Sequence, residues 1–186
     1  MNSSPASWGS ILPRSFYSRP TVEVARGLLG AYLVHRGRIG RIVETEAYLG
    51  PDDLAAHASR GLTPRTAVLF GPPGRAYVYL IYGMHECLNL VAEPDGTPGC
   101  VLIRALEPVR GFAGRAASGP GRLTRALGIT RRHNGADVTR GPLVVRRPRR
   151  PEPVPIAVSP RIGVTRCAGW PLRFYIDGNP YVSRPY

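Results

Sequence analysis

The fold is decided by two strand-like stretches that a short turn joins, AYVYLIYGMHECLNLV (residues 76–91). Aromatic and β-branched residues dominate residues 76–82, which is typical of a β-strand. Gly83 and the two residues after it predict a turn, and residues 86–91 predict the returning strand of a hairpin. A hairpin cannot bury the side chains at its own tip, so we expect Tyr82 and Met84 to protrude.

Other strands and helices are predicted on both sides of this hairpin. We predict strands at residues 31–36, 41–48, 100–106, 162–164 and 174–176, and short helices at residues 20–30 and 118–128. Short turns join several of these strands, which favours antiparallel pairing. The sequence therefore predicts an α+β fold: a single compact domain with a mostly antiparallel β-sheet, a protruding β-hairpin and a few short helices.

Two segments show no periodic pattern. Residues 1–13 predict a flexible N-terminal arm, so that residues 14–186 form the folded domain. Residues 144–155 are rich in arginine and proline, above all residues 146–151, and predict a mobile loop or linker.

The composition excludes several classes of protein. Of 186 residues, 43% are hydrophobic, which is enough for a core and argues against wholesale disorder. The 22 glycines and 20 prolines argue against a helical bundle. No apolar run reaches the ~18 residues of a membrane helix, and no secretory signal is visible, so we expect no membrane partner and a cytoplasmic location. The three cysteines, at positions 87, 100 and 167, form no CxxC pair, which fits a reducing compartment.

The charge is strongly positive, +13, and all 25 basic residues are arginine. Such a balance indicates a polyanionic partner, with nucleic acid first and a membrane surface second. A genome-wide preference for arginine over lysine would produce the same composition, and both explanations stay open here. The absence of lysine excludes a Walker A phosphate loop and a lysine Schiff base.

The strand at residues 41–48 carries two carboxylates. Strand alternation places Glu44, Glu46 and Tyr48 on one face. That face is either solvated, with its carboxylates paired to arginines, or part of a reactive site. The long loop that follows adds Asp52, Asp53 and His57, so a metal-dependent hydrolase is an alternative, although no spacing here is diagnostic of a metal site.

Several segments together resemble the alkyladenine DNA glycosylase family, also called the AAG/MPG or 3-methyladenine DNA glycosylase family. The resemblance is carried by GRIVETEAYLGPDDLAAHASRG (40–61), TPRTAVLFGPPGRAYVYLIYGMHECLNLV (63–91), CVLIRALEP (100–108), GADVTRGPL (135–143), PRIGV (160–164) and PLRFYIDGNPYVS (171–183). These segments follow the family's order from about residue 14 to the C-terminus. The resemblance implies the family's compact α+β fold and excludes the helix-hairpin-helix fold of other glycosylases.

The resemblance also implies a catalytic group. Glu46 matches the general base that orients and deprotonates water, whereas Glu44 does not match the catalytic position. Arg104 matches a residue near the phosphate of the lesion and the attacking water. The backbone carbonyl of Ile162 matches a group that holds this water. No metal and no cofactor is implied.

The remaining matches are to residues that contact DNA in the family. Tyr48, His57 and Tyr79 match the residues that enclose the flipped base, and Asn89 matches the residue that excludes guanine by crowding its 2-amino group. Tyr82 matches the residue that fills the gap in the duplex, and Leu69 one that presses into the opposite strand. Arg65 and Arg104 are expected at the DNA backbone.

The resemblance implies a base-excision-repair enzyme that hydrolyses the N-glycosidic bond of damaged purines in double-stranded DNA. 3-Methyladenine is the first expected substrate, with 7-methylguanine, hypoxanthine and ethenoadenine as further candidates. Without lysine, the enzyme is expected to use water and to leave an abasic site. We expect a bacterial monomer that associates with the nucleoid through DNA. A catalytically inactive homologue that only binds lesions is the other alternative.

Overall fold

The computed structural model describes residues 8–150 and 152–183. Its strands are β1 (Trp8–Ile11), β2 (Tyr32–His35), β3 (Arg38–Tyr48), β4 (Ala76–Ile81), β5 (His85–Val91), β6 (Cys100–Arg110), β7 (Leu143–Pro148), β8 (Ile156–Ser159) and β9 (Arg173–Ile176). Its α-helices are α1 (Arg14–Tyr17), α2 (Thr21–Gly27) and α3 (Pro120–Leu127), and single 3₁₀ turns lie at His57–Arg60, Ala67–Phe70 and Arg131–His133. None of the helices in the described part of the chain is long and apolar enough to cross a membrane.

The strands form one antiparallel sheet in the order β1-β7-β2-β3-β6-β5-β4. The β9 strand pairs with the second half of β3 and with β8. The long strands β3 and β6 lie at the centre, and the β4–β5 hairpin forms one edge. The predicted α+β fold, with one domain, a mostly antiparallel sheet and a few short helices, is therefore confirmed.

The core lies on the central strands. Ile42, Leu90 and Ile103 are fully buried there, and Val24 and Leu28 of the α2 segment pack on the sheet. Burying a large aliphatic side chain contributes roughly 1.5–3 kcal/mol, so this layer holds the short elements together. Helix α3 ends at Gly128, whose φ of 70° gives the left-handed cap that glycine adopts at no steric cost.

Three sequence predictions differ from the structure. Within the segment predicted as a loose arm, Trp8–Ile11 form β1 and pair with β7, while residues 1–7 lie outside the described residues. The predicted linker includes most of β7, which also pairs with β2, so Arg146 and Arg147 belong to a strand. Residues 162–164 form no strand, and β8 lies just before them. The sequence did not predict β7 because arginine and proline have a low intrinsic preference for strands. In the structure, hydrogen bonds offered by the neighbouring strands override that preference.

One glycine allows the close packing of β3 against β6. A Cβ atom at Gly40 would lie 2.8 Å from Leu106 Cβ and 2.9 Å from Phe112 Cζ. We expect Gly40→Ala to lower the free energy of unfolding by about 1–3 kcal/mol, because a filled core accepts no added methyl group. Urea denaturation measures this loss. Gly169→Ala is the control, since a Cβ atom there meets nothing within 4 Å; equal stability of the two variants would contradict the packing argument.

Candidate active site

A cavity of about 890 Å³ opens beside the β4–β5 hairpin. Its wall combines aromatic rings, arginines and backbone from five segments: Tyr48, Leu54, Ala55, His57, Ser59, Arg60, Tyr79, Ile81, Tyr82, His85, Cys87, Leu102, Arg104, Gly119, Pro120, Gly121, Arg122, Arg125, Ile162, Gly163, Val164, Thr165 and Arg166. A concave site of this size with a few convergent polar groups is typical of a ligand-binding site.

Glu46 is fully buried, and its carboxylate contacts three residues of the cavity wall, Tyr48, Arg104 and Ile162. Its Oε1 accepts the Ile162 backbone N–H at 2.8 Å, and its Oε2 accepts the Tyr48 hydroxyl at 2.9 Å. Arg104 Nη1 lies 3.4 Å from Oε1. Burial raises the pKa of Glu46, and the charge of Arg104 and the two hydrogen bonds offset this only in part. A carboxylate with a raised pKa is a suitable general base near neutral pH.

Irregular strand pairing places Arg104 beside both carboxylates. Glu44 pairs with Ala105 and Thr45 pairs with Ile103, so Arg104 is the extra residue of a β-bulge. Bulges redirect side chains, and this one turns Arg104 towards Glu44, 3.2 Å away, as well as towards Glu46. Only 5% of Arg104 is exposed, so this conformation offers little of it to a DNA phosphate.

Both oxygens of the Glu44 carboxylate are bound by neighbouring groups. It lies 2.7 Å from Arg173 Nε, and it accepts the Ser183 backbone N–H at 2.7 Å and the Ser183 hydroxyl at 2.9 Å. Both Glu44 and Glu46 are 0% exposed, so the interpretation of this strand face as solvated is wrong. Sequence reasoning missed Arg173 and Ser183, since nothing in their local pattern points to Glu44.

The structure brings Tyr48, His57 and Tyr79, the side chains expected to enclose the base, together in the cavity wall. His57 Nδ1 lies 2.9 Å from the Tyr77 hydroxyl, and the His57 ring meets the Tyr79 ring edge-on at 4.6 Å. Burial and the charges of Arg65 and Arg60 lower the pKa of His57 to about 4, so its imidazole is neutral at pH 7.

Two further predicted residues lie close to these rings. The guanidinium of Arg65 stacks 5.3 Å from the centre of the Tyr79 ring. Asn89 is buried beneath the rings and donates to the Tyr77 carbonyl at 3.2 Å. Burial raises the pKa of Cys87 to about 11, so the one thiol in the cavity wall is neutral and a poor nucleophile.

The hairpin tip presents exposed apolar side chains, as expected. Tyr82 is 79% exposed and Met84 is 69% exposed. Tyr82 has a φ of 52°, a left-handed conformation that is uncommon for a bulky residue and concentrates at functional sites.

Leu69 contradicts its predicted role as a second wedge. Only 1% of it is exposed, because the 3₁₀ turn Ala67–Phe70 packs it against Tyr77 and Val91. A side chain buried in this way cannot press into a DNA strand in this conformation.

Arg161 holds the acidic loop that follows β3 through an ion pair with Asp53. Asp53 and Arg161 form a two-pronged ion pair, with distances of 2.5 and 2.8 Å, and neither side chain is exposed. Burial works to raise the pKa of Asp53, but the hydrogen bonds and charge of Arg161 outweigh it and hold that pKa below its usual range. Within the residues that the structure describes, no three His, Cys, Asp or Glu side chains group so as to hold a metal ion. Three of the carboxylates that motivated the metal alternative, those of Glu44, Glu46 and Asp53, already bind guanidinium groups.

Comparison with known proteins agrees with this geometry. A family model described as methylpurine-DNA glycosylase (MPG) matches residues 15–180. A protein of Legionella pneumophila (strain Corby), provisionally named a 3-methyladenine DNA glycosylase, is 51% identical over 180 residues, covering 93% of this chain and 98% of its own length. Relatives with the same name from Myxococcus xanthus and Methanoculleus marisnigri are 51% and 52% identical, again over 93% of this chain.

The buried carboxylate beneath aromatic rings and the exposed aromatic hairpin fit the DNA-repair hydrolases that excise bases, the DNA glycosylases. The chain belongs to the methylpurine-DNA glycosylase family.

The hydrogen bond from the Tyr48 hydroxyl to Glu46 leads to a prediction about the pH dependence of the rate. We expect Tyr48→Phe to raise the pKa of Glu46, because a hydrogen bond to the ionised carboxylate is lost. Activity that needs the ionised form is lost as the pH falls through this pKa, so the acid limb of the rate profile should move to higher pH. Tyr79→Phe is the control, since the Tyr79 hydroxyl makes no hydrogen bond to Glu46. The same limb in both variants would contradict the assignment.

Proposed function

We propose that this protein hydrolyses the N-glycosidic bond of alkylated or deaminated purines flipped out of duplex DNA, with 3-methyladenine as the first substrate. The observation that carries the proposal is the buried Glu46 carboxylate at the base of an aromatic-lined cavity. Family membership and the names of the relatives support the reaction class. The cytoplasmic, nucleoid-associated location and the monomeric state stay predictions.

Glu46 is the proposed general base. Two of its hydrogen bonds, from Ile162 and Tyr48, fix the carboxylate, and each carboxylate oxygen keeps further lone pairs for water. Water attacks C1′ as the C1′–N9 bond breaks, the bond electrons leave with the base, and Glu46 takes the proton. The carboxylate also stabilises the positive charge that develops on the sugar. The Ile162 carbonyl and Arg104 are proposed to hold the water.

The aromatic wall favours a cationic base. 3-Methyladenine and 7-methylguanine carry a positive charge in DNA, so they leave readily and are attracted to ring faces. His57 is neutral at pH 7, because its pKa is about 4, and so adds no repulsion. Hypoxanthine and ethenoadenine are neutral and gain less from this wall. Asn89, buried below the rings, is the proposed barrier to guanine.

The surface around the cavity carries an exposed aromatic ring and arginines, which suit the binding of a DNA duplex. Extruding a base costs a few kcal/mol, and an aromatic ring that fills the vacated space offsets part of this loss. Tyr82 at the exposed hairpin tip is the proposed wedge. Arginines at the cavity rim, among them Arg60, Arg122 and Arg166, are placed to contact phosphates, and Arg65 beside Tyr79 is a further proposed backbone contact.

The chain holds no lysine, so it has no lysine amine for the imine that strand-cleaving glycosylases form with the sugar. This supports a water nucleophile and an abasic-site product as the proposed chemistry.

Glu46→Gln tests the general base. We expect it to slow base release by about 10²–10⁴-fold, because the amide accepts no proton at neutral pH. The measurement is single-turnover excision from duplexes with hypoxanthine or methylated purines, in EDTA, with strand breaks counted before and after alkali. Lesion binding should persist in the variant, and breaks should appear only after alkali. Near-normal turnover would remove Glu46 from its role, and a wild type that binds lesions but releases no base would be the inactive homologue.

Tyr82→Ser tests the wedge. We expect weaker binding to lesion duplexes by about tenfold, because ring stacking is worth ~1–3 kcal/mol per base. Fluorescence anisotropy measures the affinity. Val109→Ser removes another exposed apolar side chain, one that lies on β6 away from the hairpin, and should bind as the wild type does. Unchanged affinity of Tyr82→Ser would exclude the wedge.

A further inference from the structure

We propose that the buried Asp53–Arg161 ion pair positions the site: Arg161 fixes the Tyr48 ring and the Ile162 backbone, and thereby sets both the stacking surface for the base and the orientation of the Glu46 carboxylate. This inference rests on the proposed function and adds a positioning residue to it. Neither Asp53 nor Arg161 was assigned a role in excision from the sequence.

The contacts of Arg161 are all made inside the protein. Its Nη1 donates to Asp53 Oδ2 at 2.5 Å and to the Ala47 carbonyl at 3.0 Å, and its Nη2 donates to Asp53 Oδ1 at 2.8 Å. Its guanidinium carbon lies 4.7 Å from the centre of the Tyr48 ring. One planar group therefore holds the end of β3 and supports a face of the ring that follows it.

Asp53 extends this clamp, the Asp53–Arg161 ion pair with its contacts to Ala47 and Tyr48, to the loop after β3. Its Oδ2 accepts the Leu49 backbone N–H at 3.0 Å, and its Oδ1 accepts the Ala55 backbone N–H at 3.2 Å. These bonds close the turn that leads from Tyr48 towards His57. The ion pair thus joins three segments that line the cavity: the end of β3, the turn at residues 49–55 and the segment at residues 160–166.

The third segment depends on this clamp. Residues 160–166 form neither helix nor strand, so no ladder of backbone bonds fixes their place. Ile162 is adjacent to Arg161, and its N–H donates to Glu46 Oε1 at 2.8 Å. A displaced Arg161 would move this N–H, and the orientation of Glu46 would change with it.

Stability alone does not explain the pair. A buried ion pair is often replaced by apolar side chains without loss of stability. Arg161 Nε is buried as well and finds no acceptor within the described residues, which is a cost to folding. The forked geometry of the guanidinium, with its flat face on Tyr48, is what an apolar pair cannot reproduce.

The test removes both charges together. Single variants would leave a buried unpaired charge and endanger the fold, whereas D53N/R161M leaves none. We expect this double variant to unfold cooperatively in urea, at a somewhat lower concentration than the wild type, because the amide replaces only one of the two oxygens that accept the Leu49 and Ala55 N–H groups. It should keep most of the wild-type affinity for lesion duplexes. Its single-turnover excision should fall at least about tenfold, as for lost alignment at a reacting centre. The acid limb of its rate profile should move to higher pH, because Glu46 loses the Ile162 hydrogen bond that favours its ionised form.

A second readout does not depend on catalysis. Carboxyl carbon NMR follows the titration of Glu46 directly, and the double variant should titrate at higher pH than the wild type. The matched control is R41M/E107Q, which removes the half-exposed pair of Arg41 and Glu107, 3.3 Å apart on β3 and β6 and outside the cavity wall. It should leave both the rate and the Glu46 titration unchanged.

The possible outcomes separate the two proposals. A double variant with the wild-type rate and the wild-type Glu46 titration would show that the pair is only structural, and would overturn the inference. Equal losses in R41M/E107Q would overturn it too. A wild type that releases no base would overturn the proposed function, while the Glu46 titration would still support or overturn the positioning role of the ion pair.

Discussion

The burial of two carboxylates on one strand is the constraint on which the rest of the site depends. Glu44 and Glu46 are both fully buried near the centre of the sheet. A buried charge is tolerated only when it is paired and hydrogen-bonded. Three groups supply these partners: Arg104, which a bulge turns between the two carboxylates, the Arg173 side chain on β9, and the Ile162 backbone N–H. Segments far apart in sequence therefore have to converge on the middle of β3.

The two carboxylates are treated differently by their surroundings. Glu44 receives two guanidinium groups as well as the backbone and hydroxyl of Ser183, which leaves it no role but to hold Arg104, Arg173 and the C-terminal segment together. Glu46 has the weaker contact with Arg104 and lies behind the cavity wall, and burial raises its pKa. Identical side chains two residues apart thus divide into a structural carboxylate and the proposed general base. The pKa of the proposed base is raised because burial outweighs the stabilisation of its charge.

Sequence reasoning reached the fold because local patterns determine it, and the family resemblance named several of the residues that the structure brings to the cavity. The hairpin, its exposed Tyr82 and the carboxylates of β3 all lie in short periodic segments. What it missed depends on contacts between distant segments. A strand at residues 143–148 forms because β1 and β2 flank it, despite its arginines and proline. Leu69 is buried because a 3₁₀ turn folds under Tyr77, which a one-residue match to a family position does not reveal. Arg161 lies next to the matched Ile162, but its partner Asp53 is more than a hundred residues away.

The positive charge of the cavity wall suggests the order of two proposed events, the binding of the duplex and the entry of the base. Five arginines line the cavity, and its lining contains no acidic side chain besides the Glu46 beneath it. A cationic purine approaching this cavity alone would be repelled. In the proposed sequence of events, phosphates first neutralise the exposed arginines among these, such as Arg60, Arg122 and Arg166, which lowers the repulsion before a base is extruded. The ionised Glu46 and the ring faces then become the dominant attractions for a positive base. The net charge of +13 is therefore compatible with cationic substrates, because duplex binding precedes and enables the entry of the base.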